Sequence, residues 1–282
     1  DDLRYSWQTL TAGQLNLLWY EGGQTFAGQL MGASQEALDR LAQNTGVRLE
    51  RPATIYIYAS SKDLQGAMIF PREWTGGAAF SEYGIISIGV ALNQLEWGKR
   101  ALAHELGHLV THQITFSPYG ANLPTWLDEG LAMYAEGAPD PYLENVLQKA
   151  VSERKLFSVR SLSSPFSAKA DEAYISYAQS QSLVEFLLGD FPRDNMLRLL
   201  TLSKEGTNFD RALTDVYGFD QDGLGRSWLE TLTASVPSLT PSRAQAETER
   251  LRLPAMAHSA ASTPVLALLN DRGDVVNIAC RD

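Results

Sequence analysis

The stretch Ala101–His112 reads Ala-Leu-Ala-His-Glu-Leu-Gly-His-Leu-Val-Thr-His, an apolar, helix-prone run that contains His104-Glu105-x-x-His108. On a helix, residues four apart lie on one face, about 40° from each other. His104 and His108 can therefore present two imidazoles to one metal ion. Glu105 sits one residue round, near enough to such an ion to hold a bound water. Two histidines leave a tetrahedral zinc short of a third protein ligand, so the remainder of the chain has to bring one up.

Histidine does not supply it. The four histidines are His104, His108, His112 and His258. His112 continues the same helical face but lies about 12 Å along the axis from His104, at a rise of ~1.5 Å per residue. One ion does not reach all three, and His112 is expected behind the ligands or at the surface. A better candidate stands in Trp126-Leu-Asp-Glu-Gly-Leu-Ala132, on the next expected helix. The segment after His108 is long enough to turn back and lay that helix beside the first, which brings Glu129 to the metal. Gly130 lacks a side chain and is expected to let the two helices approach closely.

These residues resemble the gluzincin metallopeptidases, in which an HExxH helix is followed by a glutamate ligand, and which include thermolysin and the zinc aminopeptidases. The aminopeptidases carry a similar W-L-x-E-G-x-A segment whose glutamate is the third zinc ligand, and Glu129 occupies that place. Ile175-Ser-Tyr-Ala-Gln-Ser-Gln-Ser-Leu-Val-Glu-Phe-Leu187 is similar to their helix bearing the catalytic tyrosine, with Tyr177 at the matching position and Tyr174 as its competitor. Taken whole, residues 10–234 resemble the bacterial peptidase MA-like metallohydrolases, and the Phe70–Gly77 and Leu95–Arg100 segments add to the likeness.

The resemblance implies Zn2+ held by His104, His108 and Glu129, with Glu105 as general base toward a zinc-activated water. It implies Tyr177 as a hydrogen-bond donor to the developing oxyanion. Glu136, seven residues past Glu129 on the same helical face, is placed either to hold a zinc-bound histidine from behind or to stand at the surface. The implied substrate is a peptide or protein. The aminopeptidases also carry a G-x-M-E-N segment whose glutamate holds the substrate amine, and it has no counterpart in Thr75–Phe80 or in residues 84–90. Endopeptidase activity is therefore expected ahead of aminopeptidase or other exo-acting hydrolysis, with a non-catalytic zinc-binding module as a second alternative. Relatives of this kind imply an extracytoplasmic location.

The expected architecture is α+β and zincin-like: a small mixed sheet with an edge strand before the zinc helix, then a mainly helical C-terminal half. Residues 14–20 and 54–58 read as strands around a helix over about 25–44, which Gly46 ends. A third strand is expected at 84–90, and Asn93 is placed to cap the HExxH helix, which runs to about Gln113. Pro124 opens a helix to about Glu136. Further helices are expected near 141–154, 171–188, 195–203, 208–217 and 222–232. One catalytic domain thus spans 1–235, as an α/β half to 115 and a helical half from 116. Residues 236–282, rich in Ser, Thr, Pro and Ala, read as tail or linker. Val265–Leu269 and Val275–Ile278 could pair there as a hairpin, and the Arg272-Gly-Asp274 triplet reads as chance.

Composition removes other classes. A net charge of −10 argues against nucleic acid and against an electrostatic hold on anionic membranes. The one cysteine, Cys280, permits no internal disulfide. No apolar run reaches the roughly 20 residues that span a bilayer. A chain starting at Asp1 is expected to be a processed form or a portion of a longer one.

Overall fold

The computed structural model describes residues 2–68, 76–117 and 123–234. The Phe70–Thr75 residues, the middle of the loop before Pro124, His258, Cys280 and the expected tail with its hairpin lie outside them.

Alternating apolar residues build the sheet. β1 (Gln8–Ala12) pairs antiparallel with β2 (Leu15–Trp19), across the left-handed turn at Gly13, φ 59°. β2 alternates buried Leu15, Leu17 and Trp19 with half-buried Asn16 and Leu18, the pattern of a sheet with one face on a core. α1 (Gln24–Thr45) follows and ends on Gly46 in the left-handed conformation, φ 76°, as its sequence position suggests. β3 (Ala53–Tyr58) then runs parallel to β2, completing the expected strand–helix–strand unit. After the short α2 (Ser61–Gln65) come β4 (Gly77–Phe80) and β5 (Ile85–Gly89). The order is β1-β2-β3-β5-β4, parallel in the middle and antiparallel at both margins.

The strand expected at 84–90 is therefore present as β5, but it is an inner strand. The margin is taken by β4, whose Gly-Ala-Ala-Phe sequence has little strand propensity of its own. Pairing with β5 through the turn at Ser81–Gly84 makes it a strand.

α3 (Leu95–Thr115) carries the HExxH sequence and is followed by α4 (Thr125–Glu136). Asn93 does not cap α3. It lies in a single 3-10 turn, Leu92–Gln94, that runs straight into the helix. The helical half continues as α5 (Pro141–Ser152), α6 (Ala170–Gly189), α7 (Asp194–Lys204), α8 (Phe209–Tyr217) and α9 (Gln221–Ala234). Asp140 caps α5 and Asn208 caps α8 with side-chain oxygens.

α3 lies between two cores. Ala101, Leu102, Leu106 and Leu109 pack with α1 onto the apolar face of the sheet. Ala103, Val110 and Ile114 pack into the helical layer with Trp126, Leu127 and Leu131. From Ala101 to Ile114 only His112 escapes full burial, so the polar groups of this helix are held inside the protein. No helix among the described residues is long and apolar enough to cross a membrane.

Candidate metal and catalytic site

Two glycines decide how closely the helices meet. A methyl group at Gly107 would stand 2.6 Å from Ala132 Cα, so α3 and α4 touch backbone to backbone there. Gly130, expected to serve that contact, instead faces α6, where a methyl would come within 2.5 Å of the Ser180 carbonyl oxygen. The residue that allows α3 and α4 to approach thus lies in the HExxH itself, between Leu106 and His108.

That approach brings His104, His108 and Glu129 together. The two Nε2 atoms are 3.1 Å apart. Glu129 Oε2 lies 3.4 Å from His104 Nε2 and 3.6 Å from His108 Nε2. Ligand atoms about 2.0–2.1 Å from a tetrahedral zinc stand roughly 3.3–3.4 Å from one another, so the triangle has the size that zinc requires. Glu129 Oε2 is buried and makes no hydrogen bond despite these neighbours. Burial acts against the charge of this carboxyl, but His108 and His104 outweigh it and hold it below the usual range. Three converging donor atoms, one an unsatisfied buried carboxylate oxygen, fit a divalent cation.

Each imidazole is fixed from behind. His104 Nδ1 is 2.8 Å from Glu136 Oε1, and Arg100 holds the other Glu136 oxygen through Nε and Nη2, each at 3.1 Å. His108 Nδ1 is 3.1 Å from Asp128 Oδ1. With both Nδ1 atoms engaged by carboxylates, both Nε2 atoms face Glu129, as metal ligation demands. Burial would lower the His104 pKa, and the carboxylates of Glu129 and Glu136 beside its two ring nitrogens reverse this and raise it to about 9. For Asp128 burial acts upward, but His108 and His112 prevail and keep the carboxyl well below its ordinary value.

Glu105 is wholly buried, and neither carboxylate oxygen has a hydrogen-bond partner. Burial raises its pKa, against the nearby imidazoles, so it is primed to take up a proton. β4 passes directly over it: a methyl at Gly77 would stand 3.1 Å from Glu105 Oε1.

Tyr177 is buried on α6 with its ring edge-on to Phe166, centroids 5.0 Å apart. It shares the α6 face of Ser180 and Val184, three and seven residues on, which is the face that meets α4 at Gly130. Tyr174 turns instead toward α5, where its ring packs on Tyr142 at 5.3 Å.

Of the residues named from sequence, then, the structure gathers His104, His108, Glu129 and Glu136 around one point, with Glu105 buried beside the two histidines. Tyr177 lies on the helix packed against α4. Sequence reasoning missed Asp128, Arg100 and Gly77. Asp128 had a signal, since it directly precedes the expected ligand in the first turn of α4. Arg100 and Gly77 stood in segments that add to the family likeness, but only folding assigns them a place at the site.

The model of the Peptidase MA superfamily matches residues 33–234, most of the chain and every site residue just described. The chain belongs to this superfamily. Solved structures of M1 zinc metallopeptidases are similar to it. One is a mutant M1 zinc metallopeptidase from Deinococcus radiodurans, 15% identical, with a TM-score of 0.39, covering 83% of this chain and 53% of its own. Another, a two-domain M1 zinc metallopeptidase mutant bound to L-arginine, is 15% identical with a TM-score of 0.42, covering 79% of this chain and 51% of its own. The chain thus spans about half the length of these structures. No curated protein matches its sequence.

Proposed function

We propose that this superfamily member is a zinc-dependent peptide hydrolase acting as an endopeptidase. The observation that carries the reading is the buried His104–His108–Glu129 triangle with the unpartnered Glu105 carboxylate beside its histidines and an edge strand alongside. His104, His108 and Glu129 would hold the ion. Zinc, when bound, supplies a Lewis acid that acidifies water and polarises the scissile carbonyl.

The chain's own groups do the rest. Glu105, with a raised pKa and no competing hydrogen bond, takes the proton from the attacking water and returns it to the leaving amine. Tyr177, on the face of α6 turned to α4, is the donor to the oxyanion that develops in the transition state. β4 offers its outer edge to an extended substrate, whose backbone would add to the sheet beside Glu105. The residues of β4 are Gly77, Ala78, Ala79 and Phe80, so the strand presents no carboxylate to hold a free amine. That is the support for internal cleavage.

Glu105→Gln is expected to keep zinc and to lose turnover by about 10²–10⁴-fold. Undiminished hydrolysis in that variant would sink the mechanism. Glu129→Ala should lower zinc content after dialysis, and unchanged content would place the third ligand elsewhere. Peptides blocked at the N-terminus should be cleaved as readily as free ones. Cleavage confined to free N-termini would make the enzyme an aminopeptidase.

A further inference from the structure

His112 lies beyond the reach of an ion at the His104–His108–Glu129 triangle, yet it is not idle. Its Nε2 is 3.1 Å from Asp128 Oδ1, the same oxygen that lies 3.1 Å from His108 Nδ1. Its Nδ1 is 3.3 Å from the hydroxyl of Ser81, the first residue after β4. An ionised carboxylate only accepts, so both ring nitrogens that face Asp128 carry protons. A neutral His112 protonated at Nε2 has a lone pair at Nδ1, and that lone pair accepts from Ser81. One tautomer and one hydroxyl orientation thus satisfy the whole chain from Ser81 through His112 and Asp128 to His108.

The two histidines differ in what holds the carboxylate behind each. Glu136, behind His104, is held by two hydrogen bonds from Arg100. Asp128, behind His108, has no arginine or lysine within ion-pair distance among the described residues; its second partner is His112. A carboxylate turns easily about its terminal bond, so one partner alone would leave its oxygen poorly placed.

We propose that His112 is a positioning residue, which locks Asp128 against His108 and ties the end of the edge strand to the metal-binding triangle. This rests on the zinc hydrolase reading. The link joins three elements, the turn after β4, the end of α3 and the start of α4, and so sets where an added substrate strand lies relative to the ion.

The test uses the full chain and zinc itself. His112→Leu removes the donor at similar bulk, whereas His112→Gln retains an amide donor near the Nε2 position. Zinc affinity is measured by chelator competition, together with zinc stoichiometry and the thermal midpoint of the metal-free protein. His112→Leu is expected to weaken zinc about 10–100-fold with an unchanged metal-free midpoint, and His112→Gln to recover most of that loss. Ser81→Ala is expected to raise KM for a peptide while leaving kcat in place.

Wild-type affinity in His112→Leu, with affinity lost in Glu129→Ala, overturns the inference and leaves the zinc reading standing. A wild-type protein that binds no zinc overturns both. Equal loss in the Leu and Gln variants reduces His112 to packing and overturns the inference. A second zinc equivalent that disappears in His112→Leu also overturns it, since His108, His112 and Asp128 would then form an ion site of their own. An unchanged KM in Ser81→Ala removes the tie to the strand.

Discussion

His104 and His108 are each held at Nδ1 by a carboxylate, and at residue scale this contact sets which way the two imidazoles face. Glu136→Gln keeps the shape but gives up the charge that Arg100 and His104 both use. It is expected to weaken zinc by about 10–100-fold, read by chelator competition. The two tyrosines of α6 separate by direction. Tyr177→Phe should cost kcat about 10²–10³-fold with zinc content unchanged, while Tyr174→Phe, whose ring packs on Tyr142, should leave kcat near the wild-type value. Equal kinetic effects of the two substitutions would remove Tyr177 from the chemistry. The candidate ligands His104 and His108 were legible in the sequence because their spacing obeys helical geometry, and Glu129 because its segment resembles the gluzincin pattern. The roles of Asp128 and Arg100 were not, because each acts through a partner that folding brings close.

At the scale of elements, the close packing of α3 on α4 sets the distance between the two histidines and Glu129. Gly107→Ala forces a methyl against the Ala132 backbone, and backbone cannot give way as a flexible side chain would. The expected cost is about 1–3 kcal/mol, a fall in thermal midpoint of roughly 2–12 °C, with zinc affinity falling too because α4 is pushed away from α3. Gly130→Ala should cost a similar amount of stability by pressing on Ser180 of α6, but with less effect on zinc. A Gly107→Ala variant with wild-type midpoint and affinity would show that the helices are free to separate. Most helices and three strands were legible, since apolar spacing at a period of 3.6 or 2 records which face is buried. β4 was not, because a Gly-Ala-Ala-Phe segment becomes a strand only where a neighbour offers its hydrogen bonds.

Over the whole molecule, α3 belongs to both cores, so the sheet layer and the helical layer should unfold together. Zinc bound by ligands from α3 and α4 would strengthen that coupling. At a free concentration of 1,000 times Kd it is expected to add about 4 kcal/mol and to raise the midpoint by roughly 8–16 °C in a single transition. Two separate transitions, only one moved by zinc, would show that the layers unfold independently.

The sequence by itself determined the candidate ligand types and their order, the helix that carries two of them, the helix that carries the third and the α+β class. These are local properties, written in side-chain chemistry and in the period of apolar residues. Only the tertiary structure decided that β4 rather than β5 lies at the sheet margin, and that Gly107 rather than Gly130 lets α3 and α4 touch. It alone placed Asp128 and Arg100 behind the histidines and His112 behind Asp128. Those facts depend on which backbones meet and which charges are buried together, and a one-dimensional pattern records neither until the chain has closed on itself.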